Sequence, residues 1–452
     1  MRFPLLARVV AVSTVTVLIL ASIGLISRKI SEREARAQSV VSQFSSETSG
    51  PQLFVGPLLA LTCEETFTEE RQAMRSGKVE TVSEKKLTTC PTAYFSPRSF
   101  KASASVPVNK LHRGIFSIRT YNARLTLSGE FDWPDPPAPN GSNPRAWKEV
   151  YVVSYIRDPR GIKTLESSFM PSKEAEPAEP SLAQFPIKNY LGSYTNRNAG
   201  VTTPFEYKMS FIGTSSLQIA PIGEQSDIQI NSNWRHPSFL PAWSPDHRDI
   251  SSDGFKAAWQ LSSLATGGRP VWNKAAGDRK LDSVSGVGVS LFDPVNVYAL
   301  SHRATEYAFL FVLFTFTTLA LTEVLFGVRL HPIQYALVGS AIAVFFLLLL
   351  AFSEHIAFDL AYLIASSACV LLLTFYLRHP LETWKRTGLF FAIFVGIYAA
   401  LYYLLVSEDN SLLMGSLLVF FTLATTMIAT RKLDWAKLSG ELIAVPKTES
   451  HP

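Results

Sequence analysis

Charge is what this chain has least of. Asp, Glu, Lys and Arg together make up 17% of the 452 residues, while hydrophobic residues reach 47%. About 25% charge is usual for a soluble protein, so a uniform water-soluble globule is excluded. The formal net charge of +5 is too dilute over this length for a nucleic-acid binder, which concentrates Lys and Arg on one face. Cysteine is scarce as well: there are three, none in CxxC spacing, which argues against a zinc site. No GxSxG, HExxH, P-loop or GxGxxG string occurs, so the signatures of serine hydrolases, zinc proteases, NTPases and dinucleotide enzymes are missing. We expect no catalytic residue, no metal ligand and no cofactor, and we see no internal repeat.

Long apolar runs, by contrast, are abundant. A helix needs roughly 20 apolar residues to span a bilayer, because its backbone polar groups must be paired internally there. "VVAVSTVTVLILASIGLI", Val9 to Ile26, is one such run, with Arg2 and Arg8 before it and "SRKISERE" after it. A cleaved signal peptide is the rival reading, since Ala35-Arg36-Ala37 resembles a cleavage site. That site lies well past the run, in a charged segment, and the run exceeds a usual signal core, so an uncleaved anchor is favoured. Five further runs follow at Tyr307–Phe326, Ile333–Phe352, Ala357–Leu377, Gly388–Val406 and Leu412–Thr430.

The short connections between these runs alternate in charge. Arg329 marks the first, Arg378, Lys385 and Arg386 the third, and Arg431, Lys432, Lys437 and Lys447 the tail, whereas the second and fourth carry acidic charge only. The positive-inside rule then places both termini in the cytoplasm and residues 28–304 outside. The expected organisation is an N-terminal anchor (1–27), an exported β-rich domain (28–304), a five-helix transmembrane bundle (305–430) and a cytoplasmic tail (431–452).

Within the middle region, "SEREARAQSVVSQF" reads as a short amphipathic helix. Hydrophobicity then switches to period two. "GIFSIRTYNARLTLSGEF" alternates over Phe116, Ile118, Leu125 and Leu127, and "EVYVVSYI", "FEYKMSFI", "SLQIAPI" and "SDIQINSNW" are further strand-length runs. "PSKEAEPAEPSLAQFP" reads as a polar loop. The fold class is a membrane α-helical bundle with a sandwich-like β domain, α+β overall.

Two cysteines of this region, Cys63 and Cys90, form a candidate disulfide if it faces an oxidising compartment; two unpaired thiols are the alternative. The stretch "NSNWRHPSFLPAWSPDHRDISSDGFKAAW" supplies Trp234, Arg235, His236, Trp243, His247 and Trp259. These residues either line a ligand groove or cover a sandwich edge.

In "LLLLAFSEHIAFDLAYLIAS", Glu354 and His355 sit between two apolar runs with Asp359 four residues on. Neighbours in a helix diverge by roughly 100°, so Glu354 and His355 make poor joint ligands. His355 and Asp359 share a face if helical, and Asp359 then orients the imidazole. With Glu408 and Asp409 of the fourth connection they form a candidate polar hairpin tip. The competing readings are a proton or metal site, a cap for two helices, and an acidic rim that docks the basic residues of the β-rich region. Ala357, Ala361, Ala365 and Cys369, and Gly396 with Ala400, are expected to let helices approach closely. Glu323 is expected to pair with Arg329.

Several blocks carry a resemblance to a known family. "RLHPIQYALVG", "LLLLAFSEHIAFDLAYLIAS" and "SEDNSLLMGSLLVFFTLATTMIATRKLDW" in the last third resemble the CreD family of bacterial inner-membrane proteins. So do "GPQLFVGPLLAL", "HRGIFSIRTYNARLTLSGEF", "NSNWRHPSF" and "GFKAAW" upstream, whereas Asp359 and the two cysteines are not part of that pattern. The resemblance implies a non-enzymatic protein supporting envelope integrity, linked to a sensor-kinase and response-regulator system of the Cre type. The expected partners are membrane lipids and an unidentified periplasmic or envelope component. A small-molecule or proton-coupled transporter is the alternative, though the spans offer neither a central charge nor an inverted repeat.

Overall fold

The computed structural model describes residues 5–75, 78–168, 185–195, 199–267, 271–273, 284–291, 297–328, 330–407 and 410–431. The chain divides into two compact units, Met1–Gln38 with Val295–Pro452, and Ser39–Pro294. Helix α1 (Leu5–Glu47) is unbroken and belongs to both. The amphipathic helix expected after the anchor is therefore its continuation. No Gly or Pro lies between Leu25 and Ser49, and Glu, Arg, Ala and Gln propagate a helix in water as readily as Leu does in lipid.

The strands are β1 (Gln52–Arg75), β2 (Lys78–Phe95), β3 (Ser99–Ser105), β4 (Val108–Arg113), β5 (Phe116–Asp132), β6 (Arg145–Ile156), β7 (Ile162–Ser167) and β8 (Ile187–Ser193), then β9 (Thr202–Thr214), β10 (Ser216–Ile219), β11 (Gln225–Ser232), β12 (Ser238–Phe239), β13 (His247–Ser251) and β14 (Gly254–Ser262). A one-turn helix α2 (Ser263–Thr266) precedes β15 (Val271–Asn273) and β16 (Val287–Ser290). They build two eight-stranded sheets. One runs β12-β16-β10-β1-β2-β15, with β6 on β1 and β8 on β6; the other runs β13-β14-β11-β3-β5-β9-β7, with β4 on β5. Both are mixed, since β1 meets β10 and β3 meets β11 in parallel.

The two sheets share one buried core, as a sandwich requires. In β1 the run Leu53 to Leu61 is buried throughout, including successive residues. A strand covered on both faces selects such a continuous apolar run instead of alternation. β1 holds β6 along one edge and, on the other, β10 followed by β2, with a register shift between Val55 and Leu58 where Gly56-Pro57 intervene. β5 shows the opposite pattern: Ala123, Leu125 and Leu127 are buried while Asn122, Arg124 and Thr126 are exposed, the period of a sheet with one wet face. Of the predicted polar loop at residues 171–186, positions 171–184 lie outside the described residues.

In the other unit, α3 (Val297–Glu306) precedes α4 (Ala308–Phe326), α5 (Pro332–Ser353), α6 (Phe358–Leu381), α7 (Trp384–Val406) and α8 (Ser411–Thr430). Among the described residues six helices, α1 and α4 to α8, are long and apolar enough to cross a membrane. Their outward faces expose large apolar side chains such as Leu363, Leu371, Phe375 and Phe421. In water this would be a liability, but against lipid it is the expected surface. Inside, Phe311, Phe345 and Tyr398 pack ring on ring, with centroids 4.4–5.8 Å apart.

Local sequence explains several helix ends. His331 caps α5: its Nδ1 accepts from Ile333 N, the Gln334 side chain returns to His331 N, and Pro332 takes the first helical position. Glu323 secures the preceding turn by accepting from Leu330 N at 2.6 Å and from the Tyr335 hydroxyl at 3.1 Å. Its expected partner Arg329 lies outside the described residues. Ala361, Ala365 and Cys369 are buried, and the Cys369 thiol reaches Ala341 O at 3.5 Å. Gly396 instead faces open space, and no described residue comes within 4 Å of a side chain placed there. The close approach falls at Gly339, where an added Cβ would collide with Ile19 of α1 and crowd Phe316 of α4.

Candidate functional site

The aromatic, arginine and histidine residues singled out in this stretch are not the ones that line the groove it forms. Trp259 is fully buried, its Nε1 donating to Trp243 O at 3.1 Å, and Phe239 packs edge-on to it at 5.9 Å. Trp243 is half-buried against the same core. Trp234 folds back on itself, with Nε1 donating to His236 O at 2.7 Å, and the Arg119 guanidinium lies 4.6 Å from its ring. Arg235, His236 and His247 are exposed. Hydrophobic burial claims the aromatic rings and leaves the polar residues of the stretch at the surface.

A groove of about 480 Å³ opens within this stretch, and most of the residues that line it are polar. Its floor is one row of side chains across four strands. Asp249 of β13 lies opposite Lys256 of β14, Lys256 opposite Asn231 of β11, and Asn231 opposite Ser105 of β3. Directly paired residues point to the same sheet face. The alternate positions Ala104, Ile230 and Phe255 are buried beneath them. Asn233 and Asp253 form a rim. Asn233 is fixed by Val108, whose N–H donates to its Oδ1 at 2.7 Å while its Nδ2 donates to Val108 O at 3.3 Å. Gly254 turns the β13–β14 hairpin at φ +137, where a side chain would strike the backbone of Ser232 and Asn233. The floor offers a carboxylate, an ammonium, a carboxamide and a hydroxyl, a set suited to hydrogen-bonding a polar ligand. Asn231, Asn233, Asp249 and Asp253 all stand in the quoted stretch. The row itself depends on a parallel pairing between strands about 126 residues apart (Ser105 to Asn231), which local pattern does not reveal.

The hairpin tip is dispersed. Helix α5 ends at Ser353, and α6 begins at Phe358 after Ala357. His355 therefore lies in a turn and not one helical turn before Asp359. It is exposed, and Asp359 instead accepts from the Tyr402 hydroxyl of α7 at 3.0 Å. The expected orientation of the imidazole by Asp359 is thus replaced by a helix–helix contact. Glu354 turns inward, with its side chain 10% exposed, 3.8 Å from Arg33 of α1 and accepting from the Tyr298 hydroxyl of α3 at 3.4 Å. Burial and then the Glu354 carboxylate push the Tyr298 hydroxyl up to about 12, so it stays a hydrogen-bond donor at neutral pH. Glu408 and Asp409 lie outside the described residues. Among the described residues no group of three or more His, Cys, Asp or Glu side chains is placed to hold a metal ion.

Cys63 and Cys90 are joined by a disulfide between directly paired positions of β1 and β2, with Cα atoms 5.0 Å apart. Beyond it the two strands continue as a ribbon to Arg75 and Lys78, while β6 leaves β1 at Glu65. Glu65 closes that corner. It is buried and accepts from Asn140 Nδ2 (3.1 Å), Asn143 Nδ2 (3.0 Å) and Arg145 Nε (2.8 Å). These donors, Arg145 foremost, hold its carboxyl below the usual carboxylate range.

A family model described as "Inner membrane protein CreD" matches residues 4–436. The chain belongs to the CreD family. A curated relative, "Inner membrane protein CreD" of Escherichia coli (strain K12), is 30% identical over 449 residues, covering 97% of this chain and 95% of the relative. The CreD match runs through both units. It makes the six apolar helices those of a multi-pass inner-membrane protein of α+β build.

Proposed function

We propose that this CreD-family chain is a non-enzymatic inner-membrane protein that supports the integrity of the cell envelope. In this reading residues 28–304 stand in the periplasm, both termini lie in the cytoplasm, and the polar groove on β3, β11, β14 and β13 receives an envelope component. A Cre-type sensor-kinase and response-regulator system governs when the protein is needed. The near-complete match to the CreD family supports the envelope role. The alternating charge of the helix connections supports the orientation. The groove's mixed donors and acceptors, and the lack of His or Cys among its lining residues, favour recognition over catalysis.

The test is complementation. Cells lacking the chain are challenged with detergent and with osmotic shock, then supplied with the wild type or with Asn231→Leu/Lys256→Glu. The wild type restores resistance and the groove variant, inserted to the same level, does not. Full rescue by the groove variant removes the groove from the proposal. A reporter fused near Asn140 or Tyr190 that proves active in the cytosol removes the orientation.

A further inference from the structure

The connection between α6 and α7 gathers cations on aromatic rings at the border of an apolar surface. Arg378, in the last turn of α6, holds its guanidinium 3.9 Å from the ring centroid of Trp384, the first residue of α7. Arg386, in the first turn of α7, holds its own 4.9 Å from Phe326, the last residue of α4. Lys385 lies exposed between them. Glu382 is the one carboxylate from residue 378 to 386. The ion pairs among the described residues engage other cations than Arg378, Lys385 and Arg386. The nearby carboxylate of Glu323 is taken up by Leu330 N and Tyr335.

An arginine stacked on a ring spends its π-face on the contact and keeps its N–H edge free. That edge matches the paired oxygens of a phosphate, which a lone ammonium does not. Two such forks and a lysine on one short connection match a phosphate monoanion in charge and donor geometry. What lies beside them selects the source of the phosphate. Phe375, about one turn before Arg378, and Leu389, about one turn after Arg386, are exposed. Trp384 itself is 71% exposed, an indole at the level where indoles favour the membrane–water boundary. A ligand seated here meets cations at one end and hydrocarbon-facing side chains at the other.

We infer that Arg378, Lys385 and Arg386, framed by Trp384 and Phe326, bind the phosphate of an anionic phospholipid whose chains lie along α6 and α7. The inference needs the chain to be in a membrane and holds for either orientation, so it stands or falls independently of the envelope reading. The aromatic rings preorganise the two guanidiniums, which lowers the side-chain entropy lost on binding. A zwitterionic headgroup carries the same phosphate but brings an ammonium group against three cations, so the site selects a headgroup of net negative charge.

The experiment uses the full-length protein purified in neutral detergent and exposed to equimolar phosphatidylglycerol and phosphatidylcholine with identical chains. Retained lipids are counted by native mass spectrometry. The wild type is expected to keep phosphatidylglycerol in preference. Removing one cation, as in Arg378→Gln or Arg386→Gln, lowers that preference about five-fold, the effect of one basic residue at an anionic surface. Arg378→Lys/Arg386→Lys preserves the charge that directs insertion but loses both forks, and it lowers the preference as well. This pair keeps the test decisive if charge-removing variants insert poorly. Equal retention of the two lipids by the wild type overturns the inference. So does an unchanged preference in Arg378→Gln/Lys385→Gln/Arg386→Gln, or equally effective displacement by inorganic phosphate.

Discussion

Replacing Cys63 and Cys90 together by serine tests how the β-rich unit is held. The two residues are 27 apart in sequence. In the chain-entropy treatment, opening a loop of that size in the unfolded state costs the folded protein about 3.5 kcal/mol, or roughly 400-fold in the unfolding constant. Serine is close to cysteine in size, so little cavity energy is added. Against a total of roughly 5–15 kcal/mol for a typical domain, that loss is large. The ribbon beyond the disulfide should respond differently. Leu61 already pairs with Ala93 on the core side of the bridge, so the base of the ribbon stays closed while the core is folded. Local opening of residues 66–75 and 78–88 therefore changes much less than global unfolding. The assay is denaturant unfolding of the full-length protein in micelles, oxidised, reduced and as the double variant, with amide exchange followed on the ribbon and on residues 53–61. Coincident unfolding of oxidised and reduced protein would refute the entropic argument. A rise of roughly 400-fold in ribbon exchange with an unmoved global transition would show that the bridge supports the ribbon alone.

Two further outcomes are expected. Glu65 has a folded-state carboxyl held below its ordinary value of 4.5, so its stabilisation is complete above about pH 4.5 and is lost as pH falls through the lowered value. Exchange of residues 134–144, corrected for intrinsic rates, should rise in that acid window, and Glu65→Gln should show fast exchange at neutral pH with the acid step gone; an unaltered acid step would assign it to another group. Gly339→Leu forces a side chain into Ile19 and Phe316, an overpacking that typically costs about 1–3 kcal/mol. Crosslinking between cysteines placed on α1 and α5 should fall relative to the parent, and equal crosslinking would mean that the helices do not meet at Gly339.

The apolar runs made the six helices legible, because each span satisfies its backbone within itself and needs no distant residue. β5 was legible for a related reason: one wet face imposes alternation from Tyr121 to Leu127 on the local sequence. Where the reading departed from the structure, a distant partner or a missing breaker was responsible. The change from apolar to charged residues after Ile26 marks a change of solvent, and with no Gly or Pro before Gly50 the helix simply continues to Glu47. His355 and Asp359 have helical spacing, but the turn before Phe358 breaks it, and Tyr402 meets Asp359 from 43 residues away. The same limit hid the groove. Each of its side chains was visible, but Ser105 joins the row of Asn231, Lys256 and Asp249 only once β3 and β11 pair.

The central position of β1 has a consequence for biosynthesis. This strand is made directly after the first helix, yet its partners arrive late: β2 by Phe95, β6 by Ile156 and β10 by Ile219, while β16, which flanks β10, waits for Ser290. Until then Leu53 to Leu61 is a nascent hydrophobic segment with open strand edges, the kind that associates with its own copies during slow maturation. Ribosome-paced folding of this chain therefore calls for a holding chaperone on that segment, and pausing translation before Ile156 should raise aggregation more than pausing after Ser290.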